Sequence, residues 1–289
     1  MDTDGNSIRR PSAQCRVTFV GHATVLLDIG PIRIITDPLL RDRVWHLRRR
    51  APNPAKRLLR QRRPDIILLT HMHTDHVDLP SLRMLPEHTP ILAPPGAAGY
   101  LEKRVPQPVS EIGIGEQVKV QDVTLTAAPA NHNGFSPPPR PNTPVLSYII
   151  QGPMTFYFAG DTDLFPEMLD IARLYAPDVA LLPVSGFGPY IGRGHLNARR
   201  AAEALQLLRP RVAIPIHWGT LSPLGPGWHR WSFLEDPPYA FQAHAARLAP
   251  ETEVRILRPG EDASLLLSHS DFAARPPAGR TLRSALVTL

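Results

Sequence analysis

The chain has 289 residues, 43% hydrophobic and 20% charged, with a formal net charge of +6 and a single cysteine. Such a length allows one large α/β domain or two smaller ones, and such a composition is ordinary for a folded soluble protein. Cys15 alone excludes an internal disulfide and a thiolate-built metal site, and fits a reducing compartment.

The opening residues, MDTDGNSIRRPSAQ, have no apolar h-region, and no later run approaches the roughly 20 apolar residues of a membrane span. The expectation is a soluble, cytoplasmic protein. Charge is concentrated in residues 41–63, which carry ten Lys/Arg and one Asp, against 22 basic and 25 acidic residues elsewhere. That segment reads as a solvated surface, as an attractor of anionic substrates, or as a peripheral contact with an anionic membrane through Trp45, Leu47, Leu58 and Leu59. Its aromatic content is Trp45 alone, and no RNA-binding module is appended, which argues against nucleic acid as partner.

In chain order, Val17–Asp28 and Ile32–Thr36 flank Gly30-Pro31 and predict a hairpin. Pro64 opens a buried strand ending at Thr70. Val118–Ala127 alternates and predicts a strand, and Val145–Ile150 with Thr155–Ala159 predicts a second hairpin. Helices are expected over Phe165–Tyr175 and Asn197–Leu208, with Asn197 as N-cap. Strands entered from Pro177 and Pro210 come after them. This alternation predicts an α/β layered fold with two β-rich halves and helices outside. No linker divides the chain, so residues 1–289 read as one domain with a core of about 15–260 and loosely tied tails.

Ligand-type residues gather at the strand ends. THMHTDHVD places His71, His73, Asp75 and His76 after Thr70, while His132, Asp161 and His217 each come after another expected strand. Carboxyl ends of strands are where α/β folds place active sites. Two ions about 3.5–4 Å apart need six or seven ligands, with one carboxylate able to bridge, and seven are available. In an extended loop His71 and His73 can serve one ion while Asp75 and His76 reach the other. A lone His-x-His is usually a surface pair; a cluster of four with three further strand-end residues predicts a metal site. Zinc is the expected ion, with Mn or Fe also suited to these ligands.

The run THMHTDH, with APANH, AGDTD and IPIHWGT after it in that order, resembles the metallo-β-lactamase superfamily from about Val17 to about Pro259. The resemblance implies a four-layer αβ/βα sandwich with a dinuclear site at the edge of the two sheets. It also implies that His71, His73 and His132 hold one ion, that Asp75, His76 and His217 hold the other, and that Asp161 bridges. FVGHATVLLDI, IITDP, AGDTD and IHWGT resemble the branch containing N-acylphosphatidylethanolamine phospholipase D and ascorbate-6-phosphate lactonase. The loop GFGPYIGRGH departs from that wording, so the substrate does not transfer with the resemblance.

Water between two divalent ions loses a proton near neutral pH and becomes a nucleophile toward phosphorus or a carbonyl carbon. The expected activity is hydrolysis of a phosphodiester, phospholipid-like in kind. The alternatives are a lactone or carboxylic ester, and then nucleic-acid processing. Asp75 and His195 are the candidates for direct catalytic roles. His195 stands where the family keeps a further histidine, and is expected to contact substrate or leaving group. His22 and Asp37 are expected to orient ligands through hydrogen bonds. Phe135 and Arg140 in one loop, and Phe187, Tyr190 and Arg193 in another, are candidate contacts for a substrate with an apolar part and an anionic group.

Overall fold

A computed structural model describes residues 14–186, 191–223 and 234–266, and the backbone of 286–288. Two large sheets form the frame. The first comprises β1 (Cys15–Gly21), β2 (Thr24–Ile29), β3 (Ile32–Thr36), β6 (Ile66–Leu68), β7 (Ile91–Ala93), β8 (Val109–Glu111) and β17 (Asp262–Leu265), in the order β17-β1-β2-β3-β6-β7-β8. The second comprises β9 (Gln117–Val120), β10 (Val123–Pro129), β11 (Leu146–Gln151), β12 (Thr155–Phe158), β13 (Val179–Pro183), β14 (Val212–Ile216), β16 (Glu253–Val254) and β18 (Leu286–Thr288). Its order is β16-β14-β13-β12-β11-β10-β9-β18. In each sheet an antiparallel block gives way to a parallel one, at β3 and at β12, and β18 adds a parallel edge beside β9 in the second.

Alternation along the strands explains the layering. Val25, Leu27 and Ile29 of β2 face the core between the sheets, while Leu26 faces the other way. Ile66 and Leu68 of β6 likewise face inward, and Ile67 and Leu69 outward. A strand buried on both faces reads as a continuous apolar run, as IILL does. The outer face of the first sheet is covered by α1 (Ala55–Gln61), α2 (Leu79–Leu82) and α3 (Ala98–Leu101) through Leu58, Leu59, Leu82 and Leu101. Helices α4 (Met168–Tyr175), α5 (Ala198–Leu208) and α6 (Pro237–Leu248) pack Met168, Ile171, Leu205 and Phe241 against the second sheet's core. The result is a four-layer αβ/βα sandwich.

Several expected elements differ in detail. Val17–Asp28 is two strands, because Gly21 and His22 both take positive φ and turn the chain before Thr24. Val118–Ala127 is also split, by a turn at Gln121 with φ 51°. The expected helix over Phe165–Tyr175 begins at Met168, while Asn197 caps α5 by accepting from the Arg200 amide at 2.9 Å. Leu286–Thr288, within the tail expected to be loose, pairs in parallel with β9.

The basic segment divides. Its β4 (Arg43–Val44) and β5 (Leu47–Arg49) form a small sheet with β15 (Leu221–Pro223). Leu47, Leu58 and Leu59 are buried, so of the apolar residues expected to meet a membrane only Trp45, 70% exposed, faces solvent. Arg49 is buried and donates to the carbonyls of Val20 and Leu39, while Arg41 pairs with Asp78 and Arg62 with Asp28 and Asp65. Arg43, Arg48, Lys56, Arg57, Arg60 and Arg63 remain exposed. Among the described residues, no helix is long and apolar enough to cross a membrane.

Candidate metal centre

The carboxyl ends of strands from both sheets meet at one edge. His22 comes after β1, Asp37 after β3, and the loop of His71, His73, Asp75 and His76 after β6. From the second sheet His132 comes after β10, Asp161 after β12 and His217 after β14. Close approach of the sheets is built into the backbone. A Cβ on Gly160, which has φ +59°, would lie 2.7 Å from Thr70 Cγ2, so only glycine lets the residue before Asp161 touch the residue before His71. His22 and His217 both hold left-handed backbone, φ 58° and 61°, and the His217 amide donates to the His22 carbonyl at 2.8 Å. Such conformations are uncommon outside glycine and persist where surrounding structure enforces them.

All seven expected ligands come together. His71, His73, His132 and Asp161 present donor atoms within 4.8 Å of one another, and His22, Asp75, His76 and His217 form a second such group. Asp161 joins the two, with Oδ2 3.3 Å from His76 Nε2 and Oδ1 3.3 Å from His217 Nε2. His22 enters the second group differently, as its Nε2 donates to Asp75 Oδ2 at 2.9 Å.

The outward ring nitrogens decide which way the lone pairs face. His132 Nδ1 donates to the Gly194 carbonyl and His217 Nδ1 to the Ser185 carbonyl, each at 2.8 Å. His73 Nε2 donates to the Phe135 carbonyl at 3.0 Å. His76 Nδ1 donates to Asp37 Oδ2 at 2.8 Å. Thr70 Oγ1 donates to the same carboxylate at 2.7 Å and therefore accepts from His71 Nδ1 at 2.9 Å. Carbonyls and carboxylates only accept, so each neutral ring keeps its proton outside and aims a lone pair into the centre. Metal-binding histidines are oriented in this way.

Converging lone pairs need a cation. His71 Nε2 is buried without a hydrogen-bond partner, a state that ordinarily costs about 1–3 kcal/mol. Burial alone would lower His76, but the carboxylates of Asp161, Asp75 and Asp37 push it well above the ordinary histidine value. Burial alone would raise both carboxylates, but the charge of His76 with bonds from His217 and His22 holds Asp75, and electrostatic attraction to His217 and His76 with a bond from His195 holds Asp161, well below the carboxylate range. Burial lowers His71 far, His132 to about 4 and His22 to about 3, which keeps these three rings neutral. Neutral imidazoles facing ionised carboxylates form a donor set that fits divalent metal ions.

The remaining predicted residues separate. His195 comes to the centre, with Nε2 3.4 Å from Asp161 Oδ2 and its ring against His132, and the Asp161 bond raises it above the ordinary histidine value. Phe135 is exposed beside His73, and Arg193 is exposed two residues before His195. Arg140 is placed otherwise than expected. Its guanidinium donates to the carbonyls of Met72 and Val77, so it grips the ligand loop. Phe187 and Tyr190 lie outside the described residues. Sequence reasoning missed Thr70, Ser185 and Gly194: the last two orient rings through carbonyls, which any residue offers, and Thr70 through a hydroxyl held by Asp37 from a distant loop.

Comparison with known proteins agrees with this geometry. Residues 32–218 match the family described as beta-lactamase superfamily domain. A UPF0173 metal-dependent hydrolase of Methanopyrus kandleri is 31% identical over 85% of this chain and 98% of its own. One from Nitratidesulfovibrio vulgaris is 32% identical over 87% of this chain and 96% of its own. Among solved structures, Igni18, described as a novel metallo hydrolase from Ignicoccus hospitalis, superposes with a TM-score of 0.68 at 23% identity, covering 88% of this chain and 100% of that one. The chain belongs to the metallo-β-lactamase superfamily, among the UPF0173 metal-dependent hydrolases.

Proposed function

We propose that this hydrolase cleaves a phosphodiester with an apolar, lipid-like portion, using two divalent ions. His71, His73 and His132 would hold one ion, Asp75, His76 and His217 the other, and Asp161 both. The observation that carries this reading is the position of Asp161, which converges with His71, His73 and His132 and also lies 3.3 Å from His76 and His217 of the other group. When bound, two such ions would acidify water and neutralise negative charge on the reacting oxygens. Zinc suits the nitrogen-rich set best; Mn or Fe is the alternative.

The chain's own residues supply orientation and proton handling. Asp37, Thr70, Ser185 and Gly194 fix the ring tautomers, and His22 holds Asp75. His195, 28% exposed beside Asp161, would give a proton to the departing oxygen. Exposed Arg193 offers charge to an anionic substrate, and exposed Phe135 offers apolar contact. Phe187 and Tyr190 belong to the same proposal on sequence grounds. The likeness of GHATVL, TDP and IHWGT to the phospholipase D branch favours the phosphodiester. The exposed arginines of residues 41–63, with Trp45, are consistent with drawing anionic substrate or an anionic lipid surface toward the protein.

Metal-loaded protein assayed on bis-p-nitrophenyl phosphate and on simple lactones tests this. Phosphodiester turnover above lactone turnover is expected. Turnover of lactones alone would replace the proposal with the carboxylic-ester reading.

A further inference from the structure

We propose that Arg140 is a positioning residue that holds the His71–His76 ligand loop closed at both ends. This rests on reading those side chains as metal ligands. Arg140 Nη1 donates to the Met72 carbonyl and Nη2 to the Val77 carbonyl, each at 3.0 Å. Those two carbonyls bracket His73, Asp75 and His76. The loop that carries Arg140 reaches the ligands a second time, where the Phe135 carbonyl accepts from His73 Nε2. Backbone bonds to neighbouring strands reach Leu69 and Thr70, whereas residues 71–73 and 77–78 lie in neither strand nor helix and 74–76 form a turn. Inside the bracket the His76 and Val77 amides bond only back to the His73 carbonyl.

A guanidinium suits this task. Its nitrogens form a rigid planar fork that spans two acceptors at once, whereas a lysine ammonium is a single point of charge. Arg140 is itself held, half-buried, over the Tyr100 ring at 5.7 Å, with Arg104 stacked on the same ring at 3.9 Å. The bracketed loop supplies donors to both metal groups, so one clamp serves both.

The test measures metal affinity, by competition with a chromogenic chelator, in the full-length protein and in R140M and R140K. R140M is expected to bind zinc about tenfold more weakly or worse, the scale for losing a group that orients ligands, and to release it faster to EDTA. R140K should recover part of that affinity and not all. KM values for anionic and neutral esters should move together. Wild-type zinc affinity in R140M would overturn the proposal, even with a lowered apo melting temperature. A KM rise confined to anionic substrates, with both ions retained, would also overturn it and make Arg140 a substrate contact. Should R140M fail to fold, R140K is read by the same affinities. Wild-type protein that binds no zinc would overturn the metal reading along with the clamp, a result distinct from any change confined to the variants.

Discussion

His76 Nδ1 lies 2.8 Å from Asp37 Oδ2, and neither side chain has any exposed surface. The other Asp37 oxygen accepts from the Thr70 amide, and Thr70 Oγ1 passes the orientation on to His71. One carboxylate after β3 thus sets the lone pairs of a ligand in each metal group. In D37N an amide nitrogen must face a donor, whichever way it is turned. The variant is expected to lose about 10–100-fold in metal affinity, measured by chelator competition. Unchanged affinity would mean that Asp37 supports the fold and not the centre.

Asp161 is the residue shared between the groups, so its removal should not spare either ion. D161A is expected to lose metal and activity together, read by elemental analysis of the purified protein beside a turnover assay. Stoichiometric metal with full activity would remove Asp161 from the site.

His195 belongs to neither group of converging donors and meets the centre through Asp161 and the His132 ring. H195A should keep both ions and slow turnover by about 10²–10⁴-fold, the usual cost of losing a positioned acid or donor. A nitrophenolate leaves unaided while an alkoxide needs a proton, so alkyl esters should suffer more. Metal loss would make His195 a ligand. Equal damage to both substrates would indicate positioning.

Arg48 and Arg49 are neighbours with different tasks. Arg48 is exposed on the small sheet, whereas Arg49 is buried and satisfies the Val20 and Leu39 carbonyls beside the His22 turn. R49M should destabilise the protein, since each buried carbonyl left unpaired costs about 1–3 kcal/mol. R48Q should leave the denaturation midpoint unchanged while lowering kcat/KM for anionic substrates at low salt. Denaturant titrations and salt-dependent kinetics of the two variants check this, and identical behaviour would contradict the division.

The converging His and Asp residues and their strand-end placement were legible because both are local. A buried run such as IILL must be a strand, and the residues after its last leucine must lie at the sheet's edge. Asn197 was legible as a cap for the same reason, since its acceptor meets an amide three residues on. The turn at His22 was less so. Val17–Asp28 is apolar enough to read as one strand, and the break appears only as the left-handed backbone of Gly21 and His22.

What the sequence determined by itself was the set of donors, their order along the chain and the two β-rich halves. Tertiary structure alone decided what each cation and each outward ring nitrogen does. Arg140, a candidate substrate contact, meets Met72 and Val77; Leu47, Leu58 and Leu59, which one of three readings turned toward a membrane, face inward. The physical reason is that these partners are backbone carbonyls and core side chains brought in from distant strands. A carbonyl carries no sequence signal, so its partner is known only once the two sheets have met.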